Sequence, residues 1–85
     1  MDTTHSIIKE HLSGDEERVE FSFRTGTVDR HGYISRSALL QLDGPAGHDL
    51  MWIFTAHRQL IAEAALAYVT RHPMAGAIAL GSNDF

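Results

Sequence analysis

The cleanest alternation in the chain runs from Arg18 to Arg24. Val19, Phe21 and Phe23 fall on one side and Glu20, Ser22 and Arg24 on the other, the period-two signature of a half-buried strand. Thr25-Gly26 follows as a tight turn, because glycine adopts the positive φ that such turns require. A second strand is predicted from Thr27 to Ile34, and a two-residue turn sets Phe23 opposite Val28 and Phe21 opposite Arg30. Val28 and Ile34 then share the apolar face with Gly32 between them. Arg30 on that face must run to an edge or sit at a bulge.

Ser35 is placed to cap a short helix from Arg36 to about Leu42, its hydroxyl accepting from an early amide. Asp43-Gly44-Pro45 ends that helix. From Asp49 to about Arg71 the period changes to that of one long helix. Leu50, Ile53, Phe54, His57, Leu60, Ile61, Ala64 and Tyr68 gather on one stripe, as on a helix packed against a sheet. Pro73 blocks continuation, and Ala77 to Leu80 reads as a last strand with Ile78 and Leu80 on one face. Ahead of Arg18 the pattern is weaker. Ile7-Ile8 fits a strand or a helical turn, Ser13-Gly14-Asp15 reads as a turn, and residues 1–17 as a whole carry no decisive periodicity. The order β-β-α-α-β, with room for one more strand in front, predicts a single α+β domain over residues 1–85. Its sheet is small, mainly antiparallel, of three to four strands, and covered on one face by a short and a long helix.

Composition narrows the function classes. A chain of 85 residues buries only roughly 60 % of its unfolded surface, so self-association as a homodimer is one route to added stability. There is no cysteine, which removes disulfides, thiolate metal sites and a cysteine nucleophile. Net charge is −4 with a single lysine, Lys9, and the arginines are dispersed while Asp15-Glu16-Glu17 forms the only charge run. Nucleic acid is therefore a disfavoured partner, since phosphate binding depends on clustered cations. No stretch reaches the roughly 18 apolar residues of a membrane helix, and the start lacks the features of a secretory signal. A cytoplasmic protein without membrane attachment is expected.

Candidate chemistry is sparse. None of the six histidines pairs with another at the i, i+3 or i, i+4 spacing of helical metal sites, and adjacent His48 and Asp49 point in different directions. No G-x-S-x-G, G-x-G-x-x-G or P-loop motif is present. The expectation is no metal, no cofactor and no enzyme. His57 lies within the apolar stripe, about 20° from Leu50 at helical pitch; it reads as a structural histidine bonded to a carbonyl or as a pH-responsive imidazole. Arg58 flanks the stripe and can reach a carboxylate at a sheet edge. Trp52 points about 200° from Leu50, alongside Gln59, Glu63 and Leu66. It is covered by Ile7-Ile8 or the Gly44-Pro45 loop, or it is presented to a partner, tryptophan being enriched at binding hot spots. Trp52, Gln59 and Leu66 are the candidate partner contacts.

Three stretches carry a family resemblance: Val19-Glu20-Phe21-Ser22-Phe23, Tyr33-Ile34-Ser35-Arg36-Ser37-Ala38-Leu39 and Phe54-Thr55-Ala56-His57-Arg58-Gln59-Leu60-Ile61. Together with Gly76-Ala77-Ile78-Ala79-Leu80 before Asp84-Phe85, they resemble the small bacterial proteins of the DUF1488 family. The resemblance implies a compact α+β fold in bacterial cytoplasm and brings no established activity. The run Gln41 to His48 departs from the family pattern in its glycine and proline content. The leading expectation is an accessory or regulatory protein acting through protein contacts. The alternatives are a small-molecule or metal sensor using His57 and, against the charge, a nucleic-acid-associated regulator.

Overall fold

The computed structural model describes residues 5–85, so the first four residues of the N-terminal segment lie outside it. Strands β1 (His5–Leu12), β2 (Arg18–Thr25) and β3 (Val28–Ser35) form an antiparallel meander. Strand β4 (Ile78–Leu80) joins in parallel beside β3, in the order β1-β2-β3-β4. A parallel neighbour needs a crossover, and helices α1 (Arg36–Asp43), α2 (Leu50–Ala56) and α3 (Arg58–Arg71) supply it. The result is the α+β arrangement that the alternating and helical periods predict.

Val19, Phe21 and Phe23 are buried with Ile34, Ile78 and Leu80, under Leu50, Ile53, Phe54, Ile61, Ala62 and Ala65 from the helices. Each large apolar side chain so buried contributes on the order of 1.5–3 kcal/mol. The hairpin register differs from expectation by two residues. The turn is Gly26-Thr27, with Thr25 opposite Val28, Phe23 opposite Arg30 and Phe21 opposite Gly32. Glycine, at φ 60°, occupies the first loop position rather than the second. The ladder is unbroken from Arg18↔Ser35 to Thr25↔Val28, so Arg30 has no bulge and runs instead along Tyr68, Val69 and His72. Val28, expected in the core, lies at the exposed end of the hairpin.

Gly32 is a packing requirement. A Cβ there would lie 2.9 Å from Ile78 Cβ and 3.0 Å from the Phe21 ring. Its absence lets Phe21 lie against β3 and tilt onto Phe54 at 5.8 Å between ring centroids.

Ser35 caps α1 as expected, accepting from the Ala38 amide at 3.1 Å, a contact worth about 1 kcal/mol. Gly44 (φ 62°) ends the helix, and Gly44–Ala46 forms one unanticipated 3₁₀ turn. The long helix expected from Asp49 to Arg71 is two helices. At His57 (φ −110°, ψ 22°) the chain leaves helical geometry, and the ring Nδ1–H donates to the Ile53 carbonyl at 2.9 Å. Beyond this break the apolar stripe rotates. Ile61, Ala62 and Ala65 face the core, while Leu60 is 43 % exposed. His57 itself is a half-buried junction residue.

Arg58, the first residue of α3, donates to Glu10 and to the Ile7 carbonyl of β1. The Arg58 hydrogen bond, working against desolvation, holds the Glu10 carboxyl below the usual carboxylate range. Beside it the β1–β2 pairing is irregular between Ile8 and His11, with Lys9 at φ 56°. A bulge carrying a lysine, and an arginine on an edge carbonyl, both discourage strand addition at β1.

Gly32→Ala is expected to lose about 1–3 kcal/mol to overpacking, read as a lower urea midpoint at unchanged m-value. A midpoint equal to that of the natural chain would show that Phe21 and Ile78 yield freely.

Candidate functional site

The most organised polar constellation grows from the end of α1. Asp43, whose side chain is only 3 % exposed, accepts from the His48 amide at 2.9 Å and from His48 Nδ1 at 2.8 Å. The chain between them turns through Gly44 (φ 62°) and Gly47 (φ 79°), left-handed conformations that glycine adopts without steric cost. One carboxylate thus closes the loop and fixes the imidazole through its Nδ1–H.

His48 in turn stacks on Trp52 at 3.5 Å between ring centroids and 15° between planes. Asp49 caps α2, accepting from the Trp52 amide at 2.8 Å. The indole therefore stands on a helix start anchored by one aspartate and against a ring anchored by another. It remains 48 % exposed. Trp52 points outward as its helical angle predicts; the ring packed on it is His48, not Ile7-Ile8.

Beside this stack lies a groove of about 330 Å³, lined by Leu12, Leu40, Leu50 and Met51, with Glu16, Arg36, His48 and Asp49 around them. The 13–17 loop forms one wall. Ser13 Oγ donates to Asp15 at 2.7 Å, and the Arg36 amide donates to the Glu17 carbonyl at 2.8 Å. Arg36 also reaches the Glu16 carbonyl at 3.3 Å. Leu40, in the lining, is 43 % exposed. An apolar floor with a few convergent polar groups is the usual make-up of a binding site.

The other expected site residues do not join it. The break at His57 separates Trp52 on α2 from Gln59 and Leu66 on α3. Gln59 is exposed and donates to Glu63 at 3.2 Å, while Leu66 is half-buried and packs against the core. His57 is spent on Ile53 and Arg58 on Glu10 and Ile7, both structural duties. On the sheet face away from the helices, His11 and His31 approach Glu20 Oε1 at 3.5 and 3.8 Å, and Arg18 holds Oε2 at 3.2 Å. Among the described residues no group of three or more His, Asp or Glu side chains is placed to hold a metal ion, and no helix is long and apolar enough to cross a membrane. No family model, curated protein or solved structure matches the chain.

Asp43, His48, Leu40 and Met51 are the residues that sequence reasoning passed over. Asp43 and His48 are five apart across a loop, a spacing that belongs to no helical or strand period. The one available signal was the pair of glycines between them.

The His48 hydrogen bond, foremost, holds the Asp43 carboxyl below its ordinary range. A depressed carboxyl stabilises the fold fully above its unfolded value and loses that contribution as pH falls through the folded one. In thermal melts from pH 7 down to pH 3, Asp43→Asn should therefore start below the natural chain and converge on it toward acid. A gap independent of pH would remove this carboxylate from the loop's stability.

Proposed function

We propose that the protein is a small cytoplasmic accessory or regulatory protein of bacteria that acts through protein contacts, with Trp52 as the anchor of its contact surface. The observation that carries this reading is a half-exposed tryptophan stacked on His48, its amide capped by Asp49, beside an apolar groove. Tryptophan anchors dominate interfaces because one ring buries much area at little entropic cost. Membership of the DUF1488 family is part of the proposal and rests on the residues quoted for that resemblance. It attaches no chemistry to Arg58, whose bonds to β1 account for it.

A homodimer formed by pairing β1 with a second β1 would have to displace Arg58 and flatten the bulge at Lys9. The other edge strand, β4, has three residues, too few for a long ladder. These features argue against an edge-to-edge dimer.

Tagged natural protein and Trp52→Ala, compared in pull-downs from native bacterial lysate, test the reading. Because the indole is half exposed, the variant should stay within about 1 kcal/mol of natural stability and keep its circular dichroism. A specific partner captured by the natural chain and lost with the variant is the expected result. Equal capture by both would remove Trp52 from the contact.

A further inference from the structure

The groove beside Trp52 has a chemical bias that goes beyond its being a contact surface. Its floor, from Leu12, Leu40, Leu50 and Met51, is apolar and open along its length, which suits a side chain carried on a peptide better than an enclosed metabolite. Its rim offers acceptors. Glu16 and Asp49 line the groove, and Asp15 and Glu17 are exposed neighbours of Glu16. Arg36 is the one cation in the lining, and its guanidinium is engaged by the Glu16 carbonyl. A chain with a net charge of −4 adds to the same potential.

We propose that this groove binds a cationic amphipathic segment of a partner protein, an apolar side chain seated on Leu12, Leu40 and Met51 and its Lys or Arg side chains on the Glu16 rim. The assignment rests on the protein-contact reading above and adds the partner's chemistry to it. A second copy of this chain is the poorer occupant, since a two-fold contact here would set the same acidic rim against itself, and like charges opposed across an interface cost affinity. An acidic segment or a nucleic acid meets the same repulsion.

Trp52 is the only tryptophan in the chain, so its fluorescence reports occupancy directly. The probes are two synthetic helical peptides with the same leucine stripe, one bearing lysines on its polar face and the other glutamates. The lysine peptide should bind saturably and shift the emission of the full chain. Its affinity should fall at least about fivefold between about 50 and about 500 mM NaCl, because rim charges are screened. Leu40→Gln and Glu16→Gln, on exposed positions that leave the fold intact, should each weaken it, the former by about tenfold. Equal binding of both peptides, no binding of either, or binding indifferent to Leu40→Gln would overturn the assignment. Partner capture that depends on Trp52, combined with failure of the lysine peptide, would refute the cationic guest and leave the contact surface standing. A concentration-dependent dimer in sedimentation, lost with Leu40→Gln, would assign the groove to a second copy instead.

Discussion

Arg58 joins parts of the chain that lie far apart in sequence: Glu10 is 48 residues before it and the Ile7 carbonyl 51. The same residue opens α3, so this contact fixes where the crossover helix begins, over the β1 edge. From there α3 runs fourteen residues, or about 21 Å at helical rise, and ends where Tyr68 and Val69 meet β4 and Arg30. Four strands at about 4.8 Å spacing set β1 and β4 about 14 Å apart, so α3 is long enough to carry the chain from the β1 edge to the β4 edge, where β4 pairs with β3 in parallel. The ion pair is partly solvated, and such pairs contribute about 1 kcal/mol or less. It ties the start of α3 to β1, while the apolar burial beneath supplies the stability.

The break at His57 belongs to the same arrangement. A continuous helix from Leu50 would carry one stripe toward the sheet and could not serve two directions. By leaving helical geometry for one residue, the chain buries Leu50, Ile53 and Phe54 from α2 and Ile61, Ala62 and Ala65 from α3 in the same core. The junction stays hydrogen-bonded, the Ile53 carbonyl accepting both the His57 amide at 3.0 Å and the His57 ring Nδ1–H at 2.9 Å. This imidazole is therefore accounted for by the backbone it caps.

What the sequence disclosed follows from which forces are local. Alternation at Val19, Phe21 and Phe23, the Ser35 cap and the apolar pair Ile78 and Leu80 are set by nearest neighbours, and each is where the pattern places it. The hairpin register was ambiguous because Gly26 can serve either loop position, and only the fit of Phe21 over Gly32 selects between them. The helix break could not be seen, as no glycine or proline lies between Leu50 and Arg71; tertiary packing overrides a helical propensity that is continuous in sequence. β1 was obscured by its bulge, which shifts the period at Lys9. Of the candidate site, Trp52 was legible from its angle alone, whereas Asp43 and His48 meet only because two left-handed glycines fold the loop back.

These constraints leave the two faces of the molecule with different characters. On the uncovered sheet face, Glu20 is approached by His11, Arg18 and His31, and Arg18 lies over Tyr33 at 4.6 Å, while Arg24 pairs with Asp29 at 2.7 Å. Polar groups there satisfy one another, and water can solvate the rest at little cost. The helical side differs at the mouth between α1, α2 and the 13–17 loop. There Leu40 and Trp52 stand partly exposed although their neighbours are rigidly held, Asp43 and Asp49 each being committed to a backbone amide. A loop serving only to join α1 to α2 has no need of a shielded carboxylate holding an imidazole against an indole. Ordering those side chains costs conformational entropy of about 1 kcal/mol or more each. That cost is offset in the free protein by the stack and the caps, so a partner meets a surface already arranged and need not order it.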